Sequence, residues 1–250
     1  MKTRIAAIIG ALTLGGALLL SGTTLAAGAD PGPAGTGVCA AQAAAARSAK
    51  TVAAWRAFGD CEIDRRFVTL DALGVKIANS KVMTAVDAAA LRSEIADTRS
   101  GLTELRAAID AETGPLAIRA NVVKIATNWR VYLLVGPQVR LVNGADAVLT
   151  AGAKFTAVNN ALSDRIAKEE AAGKNVSAAK ADLAAMNDSV AAAISSAKPL
   201  PAQLLALSAA QYNAGSGKTA LAQARSDLLS ARDDLASALA SAKACRDALK

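Results

Sequence analysis

The 250-residue sequence contains no histidine and few aromatic residues, and each shortage argues against a class of protein. Without histidine there can be no Ser-His or Cys-His nucleophile pair, and the commonest metal ligand is missing. Aromatic residues make up 3% of a chain that is 53% hydrophobic, so the apolar content is mostly alanine, leucine, valine and isoleucine. Small apolar residues suit closely packed helices, whereas sheets favour β-branched and aromatic residues. The composition therefore predicts an all-α protein.

Two short motifs resemble catalytic signatures without completing them. Residues 215–219 (GSGKT) match the end of a phosphate-binding loop, but Tyr212 stands where that loop needs its first glycine. Serine-x-x-lysine matches begin at Ser177 and Ser195, without the Ser-Asp-Asn and Lys-Thr-Gly partners found in penicillin-recognising enzymes. Such matches arise by composition in alanine-rich helices. We therefore predict no enzyme activity, no catalytic residue, no cofactor and no metal ligand.

The N-terminal segment is typical of an export signal. Lys2 and Arg4 supply a positive start, residues 5–20 form an uncharged apolar run, and small residues follow. We predict a signal peptide over residues 1–29 and a flexible linker rich in glycine and proline over 30–37. The alternative is an uncleaved membrane anchor, for which the apolar run is short. Both interpretations place the remaining chain outside the cytoplasm, secreted or associated with the cell envelope.

Apolar residues at alternating spacings of three and four recur through residues 38–250 and predict an antiparallel bundle of about seven helices. The clearest pattern is a coiled-coil-like heptad seam from Leu221 to Cys245 in the last helix. Glycine and proline residues divide the preceding helices, which we expect at about 38–57, 61–79, 84–112, 115–135, 137–172 and 175–197, with a short leucine-rich segment at 203–212. We expect one bundle domain over 38–250.

Three cysteines in an exported chain leave one without a partner in the same chain. Cys39 and Cys61 each begin a predicted helix, so an antiparallel hairpin would separate them by roughly 30 Å. Counting helices places Cys61 and Cys245 at the same end of the bundle, and these are our disulfide candidates. Cys39 would then be a free or intermolecular thiol. The alternatives are a Cys39–Cys61 bridge, if the first segment is not helical, and three reduced thiols.

The charge pattern bears on possible partners. Removal of Lys2 and Arg4 with the signal lowers the formal net charge from +7 to +5, and basic residues are interspersed with acids. With few aromatics to stack on bases, we do not expect nucleic-acid binding. Trp129, Arg130 and Tyr132 hold much of the aromatic content, either as a local core cluster or as a partner-binding patch, since aromatic and arginine residues are frequent in binding hot spots.

The segment from Trp129 through Pro137 to Asp146 resembles a block from a group of exported bacterial helical proteins of unknown function. The signal, capped helices and final heptads are similar in order. The resemblance implies a bacterial coiled-coil envelope protein and carries over no catalytic residue. We therefore expect a structural, adhesive or scaffolding bundle that binds a protein partner or self-associates. The alternative is a peripheral binder of the membrane surface, or of an anionic envelope polymer, through basic helix faces.

Overall fold

The computed structural model describes residues 37–250, and the regular elements in that range are all helical. Seven helices have ten or more residues: α1 (Ala40–Ala49), α2 (Val52–Asn79), α3 (Ala85–Ala111), α4 (Pro115–Thr127), α5 (Gly136–Ala171), α6 (Ser177–Ala197) and α9 (Ser216–Ala248). The short elements are α7 (Leu200–Leu205), α8 (Ala209–Ala214) and a π-helical turn (Val131–Val135). The prediction of an all-α bundle with about seven helices is confirmed. The predicted signal peptide, 1–29, and linker residues 30–36 lie outside the described residues.

Close contacts divide the described chain into two compact units. The first unit contains residues 37–142 and 203–222, and the second contains residues 143–202 and 223–250. Helices α5 and α9 contribute residues to both. Our expectation of a single bundle domain over 38–250 stays a prediction.

Two helices of the first unit, α2 and α3, run antiparallel, and arginine side chains connect them along their length. Arg56 lies 3.5 Å from Asp110 between side-chain atoms, whereas further along α2 Asp64 pairs with Arg106. Because residue numbers rise on one helix as they fall on the other, these pairs define an antiparallel register. The carboxylates are exposed, so each pair adds little stability. Apolar burial, including that of Ile63 on α2, supplies the core.

The predicted helix break at residues 58–60 is wrong, because α2 runs through Gly59 without interruption. Gly59 is buried, and a Cβ atom there would lie 3.1 Å from both the Ile109 and the Val122 side chains. The glycine therefore permits close helix packing rather than ending a helix. The actual break is at Lys50, whose φ of 53° is left-handed, followed by Thr51, whose side chain accepts a hydrogen bond from a backbone N–H in the first turn of α2.

The predicted break at Gly136-Pro137 is also wrong, since the chain turns earlier, after α4 ends at Thr127. In the π-helical turn the Val135 N–H donates to the Arg130 carbonyl at 3.2 Å, five residues back. Helix α5 begins directly after this turn, with Pro137 as its second residue. Proline is tolerated there because backbone N–H groups in the first turn of a helix have no partner within the helix. By contrast, the predicted start at Thr84 is confirmed: its hydroxyl accepts from the backbone N–H of Asp87 at 3.1 Å.

In the second unit, α5 and α6 run antiparallel. The Asn187 side-chain amide donates to Oδ1 of Asn159 at 2.9 Å. Earlier on α5, Gly152 faces Ile194 so closely that a Cβ atom would lie 2.9 Å from that side chain. The fit between a glycine and a branched side chain fixes how closely these helices approach.

The predicted seam of α9 is confirmed from Ala224 to Cys245, and this part packs within the second unit. Gly144 of α5 faces Leu228, where a Cβ atom would lie 3.1 Å from the leucine, and Arg165 donates to the Leu249 carbonyl at 3.3 Å. Since both sets of numbers rise together, α9 runs parallel to α5, as the first and third helices of an up-down-up arrangement do. The buried seam residues are Ala224, Leu228, Ala231, Leu235, Ala238, Ala242 and Cys245.

Candidate functional site

The disulfide joins Cys39 to Cys61, with 5.8 Å between the Cα atoms, so the predicted Cys61–Cys245 pair is wrong. The turn at Lys50 lies eleven residues after one cysteine and eleven before the other. Helices α1 and α2 therefore form a hairpin whose two cysteines meet at the end opposite the turn. Our argument that Cys39 and Cys61 lie too far apart was wrong because it placed the turn between the first two helices at residues 58–60 instead of at Lys50. It also follows that Cys39 is not the free thiol.

Cys245 is the free cysteine, and it is buried in the core of the second unit. Burial, with a smaller effect of Asp182, raises the pKa of its thiol to about 11. Because the thiolate rather than the thiol is the nucleophile, Cys245 is chemically quiet at neutral pH.

An open groove of about 590 Å³ lies in the first unit among α1, α2 and α4, and we call it the α1/α2/α4 groove. Its apolar wall consists of Trp55, Phe58, Leu116, Val122, Val123 and Ile125. Leu116 is 79% exposed and Val123 is 53% exposed, which is high for large aliphatic side chains that share one surface. The volume lies within the range of ordinary ligand sites, and a concave apolar wall is the usual form of such sites.

Two buried charged residues of α2, Glu62 and Arg66, also line the groove, and they are only 3% and 5% exposed. Oε2 of Glu62 accepts from Nη1 of Arg66 at 2.6 Å and from Nε of Arg65 at 3.1 Å. The two guanidinium groups lie 4.8 and 5.1 Å from the centre of the Tyr132 ring. Burial lowers the pKa of Arg66, and the bond to Glu62 opposes that shift. Charges this deeply buried are tolerated only when they are paired, and the two arginines supply that pairing for Glu62.

One polar atom on each of these side chains is buried without a hydrogen-bond partner among the described residues. They are Oε1 of Glu62, which is an acceptor, and Nε of Arg66, which is a donor. An unpaired buried polar atom destabilises a fold by about 1–3 kcal/mol, so these two atoms lower the net contribution of the buried ion pair to stability.

Three basic residues, Arg47, Lys50 and Arg119, form the rim of the groove. The Arg119 guanidinium lies 5.8 Å from the centre of the Trp55 ring. Within residues 37–250, none of the three forms an ion pair with an acidic side chain. The rim is therefore a cationic edge beside an apolar wall, and it favours a ligand with negative charge.

The predicted patch residues all lie in the first unit, where they make contacts within the chain. The Trp129 indole covers Gly101 so closely that a Cβ atom there would overlap the ring. Nε of Arg130 donates to Oδ1 of Asn213 at 2.8 Å, and the Tyr132 ring lies beneath the arginines of α2. These contacts are those of a local packing cluster. The partner-binding role of Trp129, Arg130 and Tyr132 stays a prediction.

Sequence reasoning missed the groove residues, although one signal was present. Glu62 and Arg66 follow Phe58 at intervals of four, so they share a helix face with an aromatic residue and lie next to Ile63. Charged residues on an apolar stripe are unusual and call for partners. The sequence did not show that α1 and α4 form the other two walls of the groove.

We also searched the described residues for a metal site and for a membrane-spanning helix. Residues 37–250 contain no group of three or more cysteine or acidic side chains placed to hold a metal ion. None of the helices in that range is long and apolar enough to cross a bilayer. Comparison of the chain with protein-family models, curated proteins and solved structures finds no match.

Proposed function

We propose that the protein is a non-catalytic interaction module of the bacterial cell envelope, and that the α1/α2/α4 groove binds an apolar, acidic segment of a protein partner. The observation that carries the proposal is the combination of an exposed apolar wall with a rim of unpaired cations. Leu116 and Val123 expose surface that a bound segment would remove from water. The rim cations complement acidic residues on the partner.

The disulfide supports an extracytoplasmic location, because disulfides persist in oxidising compartments and are rare in the cytoplasm. The predicted signal over residues 1–29 agrees with that location. The bridge also supports a binding role, since it fastens α1, one wall of the groove, to α2. A preformed wall lowers the ordering cost of binding.

Site-specific photocrosslinking in the native host tests the proposal. A photoreactive amino acid replaces Leu116 at the groove, and a matched control replaces Val75, which is 60% exposed on α2 and lies outside the groove lining. We expect a discrete crosslinked protein from position 116 and none from position 75. The crosslink should weaken when Val123→Asp introduces negative charge into the wall. Equal crosslinking from both positions, or none from position 116, would contradict the proposal.

A second candidate is binding to an anionic membrane surface, which the same juxtaposition of exposed apolar and basic side chains favours. Sedimentation with phosphatidylglycerol vesicles, compared with phosphatidylcholine vesicles, distinguishes it. Retention by anionic vesicles only, lost in 0.5 M salt and in Arg119→Ala, would support this candidate. Indifference to vesicle charge would remove it.

A further inference from the structure

The α1/α2/α4 groove has the form of a helical bundle that lacks one helix. Helices α1 and α4 each pack against α2, and all three line the groove, so α2 forms its floor. The lining residues run from Trp55 to Arg66 on α2 and from Pro115 to Thr127 on α4. At 1.5 Å per residue these stretches are about 16–18 Å long, which is about three helical turns. One further helix of that length would complete a four-helix arrangement.

The wall that α4 contributes has the spacing of a helix-packing seam. Leu116 and Val123 are exposed and seven residues apart, whereas Ile118 and Ile125, also seven apart, are buried within the first unit. Helix α4 is therefore apolar on an exposed face as well as on its buried face, which is typical of a helix with partners on both sides. Residues at successive intervals of three, four and three line the groove along the exposed face, and they are Leu116, Arg119, Val123 and Ala126. This is the spacing through which one helix packs against another.

The helical walls favour a helix over an extended segment. The backbone N–H and C=O groups inside α1, α2 and α4 bond within their own helices, so the walls offer a ligand few backbone partners. An extended segment on this apolar surface would leave its own N–H and C=O groups without bonds on the covered side. A helix satisfies those groups internally and presents only side chains to the groove.

The three rim cations lie toward one end of the groove, at the turn between α1 and α2. Lys50 forms that turn, and Arg47 lies in the last turn of α1. Arg119 lies on the ring of Trp55, which is in the first turn of α2 and so at the same end. A helix that matches the groove therefore carries carboxylates at one of its ends and apolar side chains along its length.

We infer that the α1/α2/α4 groove binds an amphipathic helix of the partner, about three turns long, with apolar residues at alternating intervals of three and four and carboxylates at one end. The inference rests on the proposed function, because it names the kind of segment that the protein partner presents. Leu116 and Val123 pack against the apolar seam of the bound helix. Arg47, Lys50 and Arg119 pair with its carboxylates.

Calorimetric titration of the purified protein with a defined peptide tests the inference. The probe is an acetylated and amidated peptide of about 14 residues, long enough for the groove. It has leucines at successive intervals of three, four and three, two glutamates in its first turn, and alanine or glutamine elsewhere. Difference circular dichroism should show that the peptide gains helix on binding, because an isolated helix of this length is only marginally stable in water.

Three comparison peptides each change one feature of the probe. Proline in place of a central alanine breaks the helix, and that peptide should bind about a hundredfold more weakly. Leucines at alternate positions keep the composition but share a face only in an extended chain, so this peptide should bind at least about tenfold more weakly. Glutamines in place of the glutamates remove the charge and should weaken binding about threefold.

Charge exchange assigns the ionic contribution to the rim. Arg119→Glu should weaken the probe about tenfold, and it should bind a peptide with lysines in place of the glutamates more tightly than the wild type does. The matched control Arg92→Glu makes the same charge change at an exposed arginine on α3 of the same unit, and it should affect neither peptide. The peptide comparisons on the wild-type protein stand alone if Arg119→Glu fails to fold.

Other occupants of the groove correspond to other results, each of which would overturn the inference. An extended segment predicts that the alternate-leucine peptide or the proline peptide binds as tightly as the probe. An acyl chain predicts that laurate binds more tightly than the probe and displaces it. A second copy of the chain predicts a dimer in light scattering that Val123→Asp abolishes. No heat with millimolar probe would also overturn it.

The crosslinking experiment separates this inference from the proposed function. If the Leu116 crosslink to a protein persists alongside one of the contrary results, the groove binds its partner in another form and the proposed function stands. If the crosslink is also absent, both fail.

Discussion

Loss of the Cys39–Cys61 disulfide is expected to lower the free energy of unfolding by about 3 kcal/mol. The bridge joins residues 22 positions apart, and constraining a loop of that length in the unfolded chain contributes about this much. Helix α1 has only ten residues, which is too short to be stable alone, so it depends on its attachment to α2. The double variant Cys39→Ala/Cys61→Ala is the perturbation, since alanine adds no polar group at the buried Cys39 site.

Urea unfolding followed by circular dichroism measures the effect. Reductant should destabilise the wild-type protein by about the same amount as the double substitution, and it should have no effect on the double variant. Cys245→Ala is the matched control, and it should respond to reductant as the wild type does, because Cys245 is not in the bridge. A Cys245→Ala variant insensitive to reductant would refute the assignment. An unchanged midpoint in the double variant would refute the stabilising role.

The same perturbation connects stability to binding. Arg47 and Lys50 belong to α1 and its terminus, so release of α1 from α2 removes part of the cationic rim. We expect the Cys39→Ala/Cys61→Ala variant to give a weaker crosslink from a photoreactive residue at position 116, because one wall of the groove is no longer preformed. An undiminished crosslink in that variant would show that α1 holds its position without the bridge.

Three further predictions concern other positions. Gly101→Ala should destabilise the protein by about 2 kcal/mol, because the added Cβ would overlap the Trp129 indole. Gly74→Ala, where the added Cβ meets open space, should instead stabilise α2 by about 0.5–1 kcal/mol. Thermal unfolding of the two variants compares these effects. Burial raises the pKa of Glu94 to about 7, so stability should fall by about 2 kcal/mol as pH rises from 4.5 through 7, and Glu94→Gln should abolish that fall. Cys245 should resist iodoacetamide in native protein and react after unfolding; labelling at the native stage would contradict its burial.

Helical seams were the most predictable part of this fold. The spacing from Leu221 to Cys245 identified the buried face of α9, because a helix of 3.6 residues per turn places such positions on one side whatever its partners are. Capping chemistry is equally local, which is why the start at Thr84 was found. Both signals depend only on residues within a few positions of one another.

Helix breaks were less predictable, because a glycine can either end a helix or allow another helix to pack closely against it. Gly59 allows two other helices to approach closely, while Gly136 is the first residue of α5, directly after the π-helical turn. The break that matters, at Lys50, contains neither glycine nor proline. Misplacing that turn by about nine residues was enough to assign the wrong disulfide.

Composition and helical period were enough to predict the helical class and the main seams, and the lack of histidine excludes histidine chemistry, because these properties do not depend on distant residues. Which cysteines meet and where the groove opens depend on long-range packing. It set Glu62 and Arg66 of α2 against walls from α1 and α4, which are distant in sequence. Those walls come together only when the hairpin turns at Lys50. A local sequence pattern does not show how far apart neighbouring helices lie.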